Sequence, residues 1–119
     1  MNKRNFKKYV EALGDSACAS MVDIYDTVEN VDKEKVANAI EKVLKTVETA
    51  KVNADVTFDK GVKAFESLKD YSKAKKVFFK QLYKKIYEDF YNGLDEAVKE
   101  FNAAVPDEVK EENKAAAKA

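Results

Sequence analysis

The stretch SKAKKVFFKQLYKKIYEDFYNGLDEAVKEFNAAV, Ser72 to Val105, decides how the rest of the chain is read. At 100° per residue, Phe78, Phe79, Leu82, Tyr83, Ile86, Tyr87, Phe90, Tyr91, Leu94, Ala97, Val98 and Phe101 fall on one side of a helix. Gln81, Lys84, Lys85, Glu88, Asp89, Asn92, Asp95, Glu96, Lys99 and Glu100 fill the other. The spacing predicts an amphipathic helix of about nine turns, capped by Ser72 and stopped before Pro106, with Gly93 tolerated inside it at a cost near 1 kcal/mol. Its apolar arc covers close to half the circumference, wider than the roughly 100° stripe that one neighbouring helix would cover, so at least two further helices must flank it.

The chain upstream supplies two. The first is expected from Lys3 to Glu29, capped by Asn2, with Phe6, Val10, Leu13, Ala17, Met21, Ile24 and Val28 facing inward. Gly14 and the run Ser16-Ala17-Cys18-Ala19-Ser20 make its middle thin. Small residues there let a bulky neighbour approach, the aromatic residues of the final helix being the obvious candidates. A tight crossing of this kind is favoured over a niche for an apolar ligand.

Asn30-Val31-Asp32 reads as a turn ending in an N-cap aspartate, and Val36, Ile40, Val43, Val47, Ala50 and Ala54 then recur at alternating spacings of four and three. This heptad-type seam is assigned to packing inside the bundle rather than to an intermolecular zipper. Around Val56-Thr57-Phe58-Asp59-Lys60-Gly61, two β-branched residues and a glycine cost a helix about 1–2 kcal/mol, and the second helix is ended there. A competing reading continues it to Lys69 through Phe58, Gly61, Phe65 and Leu68. Lengths of about 40, 39 and 50 Å for the three helices favour the earlier end, with residues 62–71 forming a short connecting helix or folded loop. The fold expected is all-α, a three-helix up-down-up antiparallel bundle over residues 1–105. A flexible, charged, alanine-rich tail is expected at 106–119.

A chain of 119 residues can hold one core without staples, burying about two thirds of its unfolded surface. The single Cys18, among small and apolar neighbours and with no histidine anywhere to activate it, reads as a core hydrophobe rather than a redox group. Glu11 and Asp15 interrupt what would be the apolar core of a secretion signal, and no run of 18 apolar residues exists, so a cytoplasmic protein without membrane contact is expected. Without histidine there is no conventional zinc site, imidazole base or carboxylate-histidine di-iron cluster. No phosphate-binding glycine loop or nucleophile elbow occurs either, so the expectation is a non-enzyme with no cofactor or metal.

Formal charge is zero but unevenly spread: residues 1–10 carry four basic groups and no acid, and residues 60–85 carry nine lysines against Glu66 and Asp70. In an up-down-up bundle the starts of the first and third helices lie at one end. The expected basic pole therefore comprises Lys3, Arg4, Lys7 and Lys8 with Lys73, Lys80 and Lys84, beside Tyr87 and Tyr91 on the same flank. Two functions follow. The first is a helical protein presenting a surface for protein–protein interaction or self-association, with a homo-oligomer expected. The alternative is an accessory protein that binds nucleic acid through the pole. A carrier of a small apolar ligand beside Ala17 to Ser20 is a third.

The opening MNKRNFKK, residues 1–8, and the later FFKQLYKKIYEDF, residues 78–90, resemble short, uncharacterised all-helical proteins of Bacteroidetes bacteria. The likeness covers about half the chain, in the order basic start, helix, Asp-Lys-Glu-Lys turn, helix, final helix. This chain departs from it around residues 55–75 and in its tail. The resemblance implies a bacterial cytoplasmic helical protein and brings no activity or site residues with it.

Overall fold

The structure, a computed structural model, describes residues 2–106; beyond Pro106, the tail expected at 106–119 lies outside the described residues. Three helices follow in order: α1 Lys3–Thr27, α2 Lys33–Asn53 and α3 Leu68–Ala104, with a single 3-10 turn at Val62–Ala64 between the last two. They form the expected all-α three-helix bundle. Asp32 N–H donates to the Ala104 carbonyl at 3.1 Å, tying the start of α2 to the end of α3, while Phe6 meets Tyr83 and Tyr87. α1 and α3 are therefore parallel and α2 antiparallel to both.

The caps explain where the elements begin. Asn2 accepts from Asn5 N–H at 2.8 Å and Asp32 from Lys35 N–H at 3.2 Å, each meeting one of the four free amides at a helix start. Asn30 sits at φ 64° in the turn, a left-handed conformation that asparagine adopts more readily than most residues.

The boundaries of the α2–α3 connection differ from the sequence expectation. α2 stops at Asn53, before either end considered for it, and α3 begins at Leu68, capped by Ser67 rather than Ser72. Ser67 Oγ accepts from Asp70 N–H at 3.1 Å, and Asp70 adds a negative charge to the first turn. Ser72 would have put Lys75 in that place. No helix covers 62–71: three residues make the 3-10 turn, and Leu68 to Tyr71 already belong to α3. The loop folds back on α3 through Phe58, whose ring lies 6.1 Å from Phe65, 5.8 Å from Tyr71 and 5.3 Å from Phe78.

α2 is the central element. Both other helices bring their backbones close to it, whereas α1 and α3 meet mainly through large side chains. Its two flanks serve two neighbours, so Ala39, off the expected seam, is fully buried along with Val36 and Val43. Above Gly14 of α1 lies Val47, with Val43 at 3.8 Å from where a β-carbon would stand; above Gly93 of α3 lies Thr46, its Cγ2 and Oγ1 both 2.6 Å from that position. The neighbour that exploits the thin part of α1 is thus a valine of α2, not an aromatic residue of α3. Two clusters of buried side chains lie either side of this waist, one around Phe6, Val10, Ile86 and Phe90, the other around Met21, Val31, Val36 and Ala97.

Gly14→Ala gains about 1 kcal/mol of helix propensity but drives a methyl group into a stiff β-branched side chain. We expect a net loss of about 1–3 kcal/mol in denaturant unfolding, and a much smaller loss in a Val47→Ala background. Equal losses in both backgrounds would exclude this packing account.

Candidate interaction surface at the overhanging end of α3

With 37 residues against 25 in α1, and with Phe6 level with Tyr83 and Tyr87, α3 runs past the start of α1 by roughly 20 Å. The molecule is accordingly 65 Å long and at most 30 Å across. In the corner between the overhang and α1 an open groove of about 680 Å³ is lined by Phe6, Lys76, Phe79, Lys80, Tyr83 and Tyr87. A second hollow of about 480 Å³ lies under the folded-back loop, with Lys60 and Lys73 beside Phe58, Phe65 and Phe78. Aromatic floors with lysine rims result because the final helix has more apolar arc here than α1 and α2 reach.

Lys3 and Lys7 each place Nζ 2.8 Å from Asp55 Oδ1, just past the end of α2. Those two cations hold the Asp55 carboxyl down at about 2, well below its ordinary 3.8. Asp55 therefore sits inside the expected basic pole and neutralises part of it. Arg4 and Lys8 are exposed on α1, and Lys84 is exposed on α3. Lys73 and Lys80 lie in different hollows, so the lysines of α3 share a helix flank without converging on one point. Counted by position along the bundle, residues 2–10 and 48–85 hold fourteen basic and five acidic side chains, and residues 11–47 and 86–106 hold thirteen acidic and five basic ones. The two ends still carry opposite charge.

Tyr87 packs edge-on against Phe6 at 5.2 Å and Tyr9 at 6.3 Å, and stacks on Tyr91 at 6.0 Å; burial pushes its phenol pKa up. The Tyr91 hydroxyl is hydrogen-bonded to that of Tyr9 at 2.5 Å, and this bond, followed by burial, pushes its pKa up to about 12. Both phenols are neutral at physiological pH, and Tyr91 nonetheless keeps 46% of its surface exposed. Elsewhere, burial and then Asp15 push the Cys18 thiol up, away from the reactive thiolate, and Val47 occupies the space above Gly14. Among the described residues no group of three histidine, cysteine or acidic side chains could hold a metal, and no helix is long and apolar enough to cross a membrane.

Sequence reasoning singled out the lysines and tyrosines but missed Asp55, Phe6 and Tyr83, which shape the corner. Phe6 and Tyr83 were read as core because their spacing is that of core; only the unequal helix lengths open the corner they line. Asp55 has no sequence signal. Compared with protein-family models, with curated proteins and with solved structures, the chain matches none.

A lowered carboxyl pKa adds stability above the unfolded value and loses it as pH falls through the folded one. The wild type should therefore melt above Asp55→Asn at neutral pH, with the gap closing as the pH is lowered from 3.8 towards about 2. The gap should be small, because Asp55 is half exposed. Thermal melts of both proteins across that range check it, and a gap unchanged at the acid end excludes the Lys3–Asp55–Lys7 cluster.

Proposed function

We propose that this is a non-enzymatic helical protein whose overhanging α3 is a docking surface for another protein, a second copy included. The groove of Phe6, Phe79, Tyr83 and Tyr87 rimmed by Lys76 and Lys80 carries this reading. Large aromatic side chains in an open, cation-edged corner are what protein interfaces are enriched in, and Phe79, Tyr83 and Tyr87 are left part-exposed there over the buried Phe6. The residue inventory supports the non-enzymatic part: no histidine in the chain, and a single thiol whose protonated form is favoured.

A photoreactive benzoylphenylalanine at position 79, introduced in the cell that makes the protein, is expected to give discrete crosslinked protein species that Lys80→Glu diminishes. The same probe at Leu44, 55% exposed on α2, should give none of them. Position 79 behaving like position 44 would sink the docking reading.

The excess of fourteen basic over five acidic side chains at this end favours one second reading, nucleic-acid binding through Lys73, Lys80 and Lys84 beside Tyr91. It requires association with duplex DNA or single-stranded RNA that falls steeply with salt and is lost with the pair Lys80→Glu and Lys84→Glu. Absence of binding at low salt removes it.

A further inference from the structure

α3 carries a second row of side chains, outside the core. Val77, Lys84, Tyr91 and Val98 stand at strict seven-residue steps, and Val77, Tyr91 and Val98 are 47%, 46% and 40% exposed. With Leu68 in the first turn, these are the large hydrophobic residues that α3 leaves in water. A seven-residue step drifts only about 20° per repeat on a straight helix, so the row is one continuous line about 31 Å long. It is the kind of line that a second helix covers. Its middle is preorganised, because Tyr91 is stacked on Tyr87 and held by the Tyr9 hydroxyl, so little side-chain freedom remains to be lost on contact.

Charge along the row identifies the covering helix. Lys84 stands in its first half with Lys73 and Lys80 beside it, and Glu88 and Asp95 flank its second. A parallel copy would set lysine against lysine. An antiparallel copy, with the two-fold axis passing between positions 87 and 88, sets Val77 opposite Val98, Lys80 opposite Asp95 and Lys84 over the ring of Tyr91, each contact occurring twice. Asp95 is paired with Lys99 four residues on, at 3.1 Å, but both are well exposed and such a pair holds its partner weakly. Pairing about a two-fold axis also closes on itself. Head-to-tail contact between the basic and acidic ends would leave an open chain of subunits.

We infer that this outer row of α3 takes a second copy of this chain, as an antiparallel dimer across Val77, Lys84, Tyr91 and Val98. The inference goes beyond the docking reading above, because the row lies outside the groove of Phe6, Phe79, Tyr83 and Tyr87. Sedimentation equilibrium of the full chain over a micromolar to millimolar series should show a monomer–dimer equilibrium that weakens with salt. Lys80→Asp alone and Asp95→Lys alone should each weaken it about tenfold or more, since the two-fold axis doubles each like-charge contact. The two together in one chain should restore it to within about threefold. All three variants change exposed side chains and should match the wild-type melt.

Orientation is read independently by disulfide formation. On a Cys18→Ser background, a mixture of Val77→Cys and Val98→Cys chains should yield the mixed disulfide, and Val77→Cys alone should yield little. A strict monomer across the series overturns the inference, as does a Val77→Cys homodisulfide as the main product. If the chain is monomeric while the probe at position 79 captures a different protein, the dimer falls and the docking reading stands. A monomer with no crosslink at position 79 ends both.

Discussion

The close passage of α2 between two glycines is the constraint on which the architecture depends. Thr46 and Val47, neighbours in sequence and on opposite flanks of α2, fill the spaces over Gly93 and Gly14, where any other residue would place a β-carbon. Because α2 is clasped from both sides at its middle, α1 and α3 run parallel to each other on its two flanks, and the space between them is left to side chains. Phe6, Tyr9, Tyr83, Tyr87 and Tyr91 occupy that space at one end. Val47 and Leu94 touch the buried clusters on both sides of the waist, so the two halves of the core are joined where the helices are closest.

Burial of large side chains supplies the stability and surface charge supplies little. Phe6, Phe90, Val10, Val36 and Val43 are essentially without exposed surface, each contributing about 1.5–3 kcal/mol, whereas most of the ion pairs are solvent-exposed. Lys42 reaches from α2 to both Glu96 and Glu100 of α3, and Lys51 reaches Glu11 of α1. Such pairs favour the observed register of α2 between its neighbours more than they hold the fold together. Charge has its larger effect at the scale of the whole molecule, where one end is basic and the other acidic.

What was legible in the sequence is whatever local chemistry dictates. Asn2 and Asp32 are caps in the sequence and caps in the structure, and the periodicity of Ser72 to Val105 is that of a helix buried on one side. The start of α3 was misplaced because Ser67 and Ser72 are both acceptable caps locally, and the choice turns on Asp70 at the third position and on Phe58 folding back over Tyr71. Gly93 looked like a tolerated defect; its use appears only when Thr46 is seen opposite it. Ala39 lies off the single heptad seam that the spacing of α2 predicts, and it is buried because a helix clasped from two sides needs a wider one. Asp55 gathers Lys3 and Lys7 from 48 and more residues away, a pairing no local pattern encodes.

The width of the apolar arc on α3 has a physical reading that neither periodicity nor burial gives alone. Ile86 and Phe90, beside Thr46 and Ala50 of α2, are covered, as is Ala97; Tyr87, against Phe6 and Tyr9 of α1, and Leu94 are half covered. Val77, Tyr91 and Val98 continue the same arc past the last neighbour and stay in water. An arc built for two neighbours would end at Tyr87 and Leu94. One that continues for nearly another quarter of a turn, with lysines along one half and acids along the other, has the width and the charge order of a helix with a third neighbour, which none of the described residues supplies.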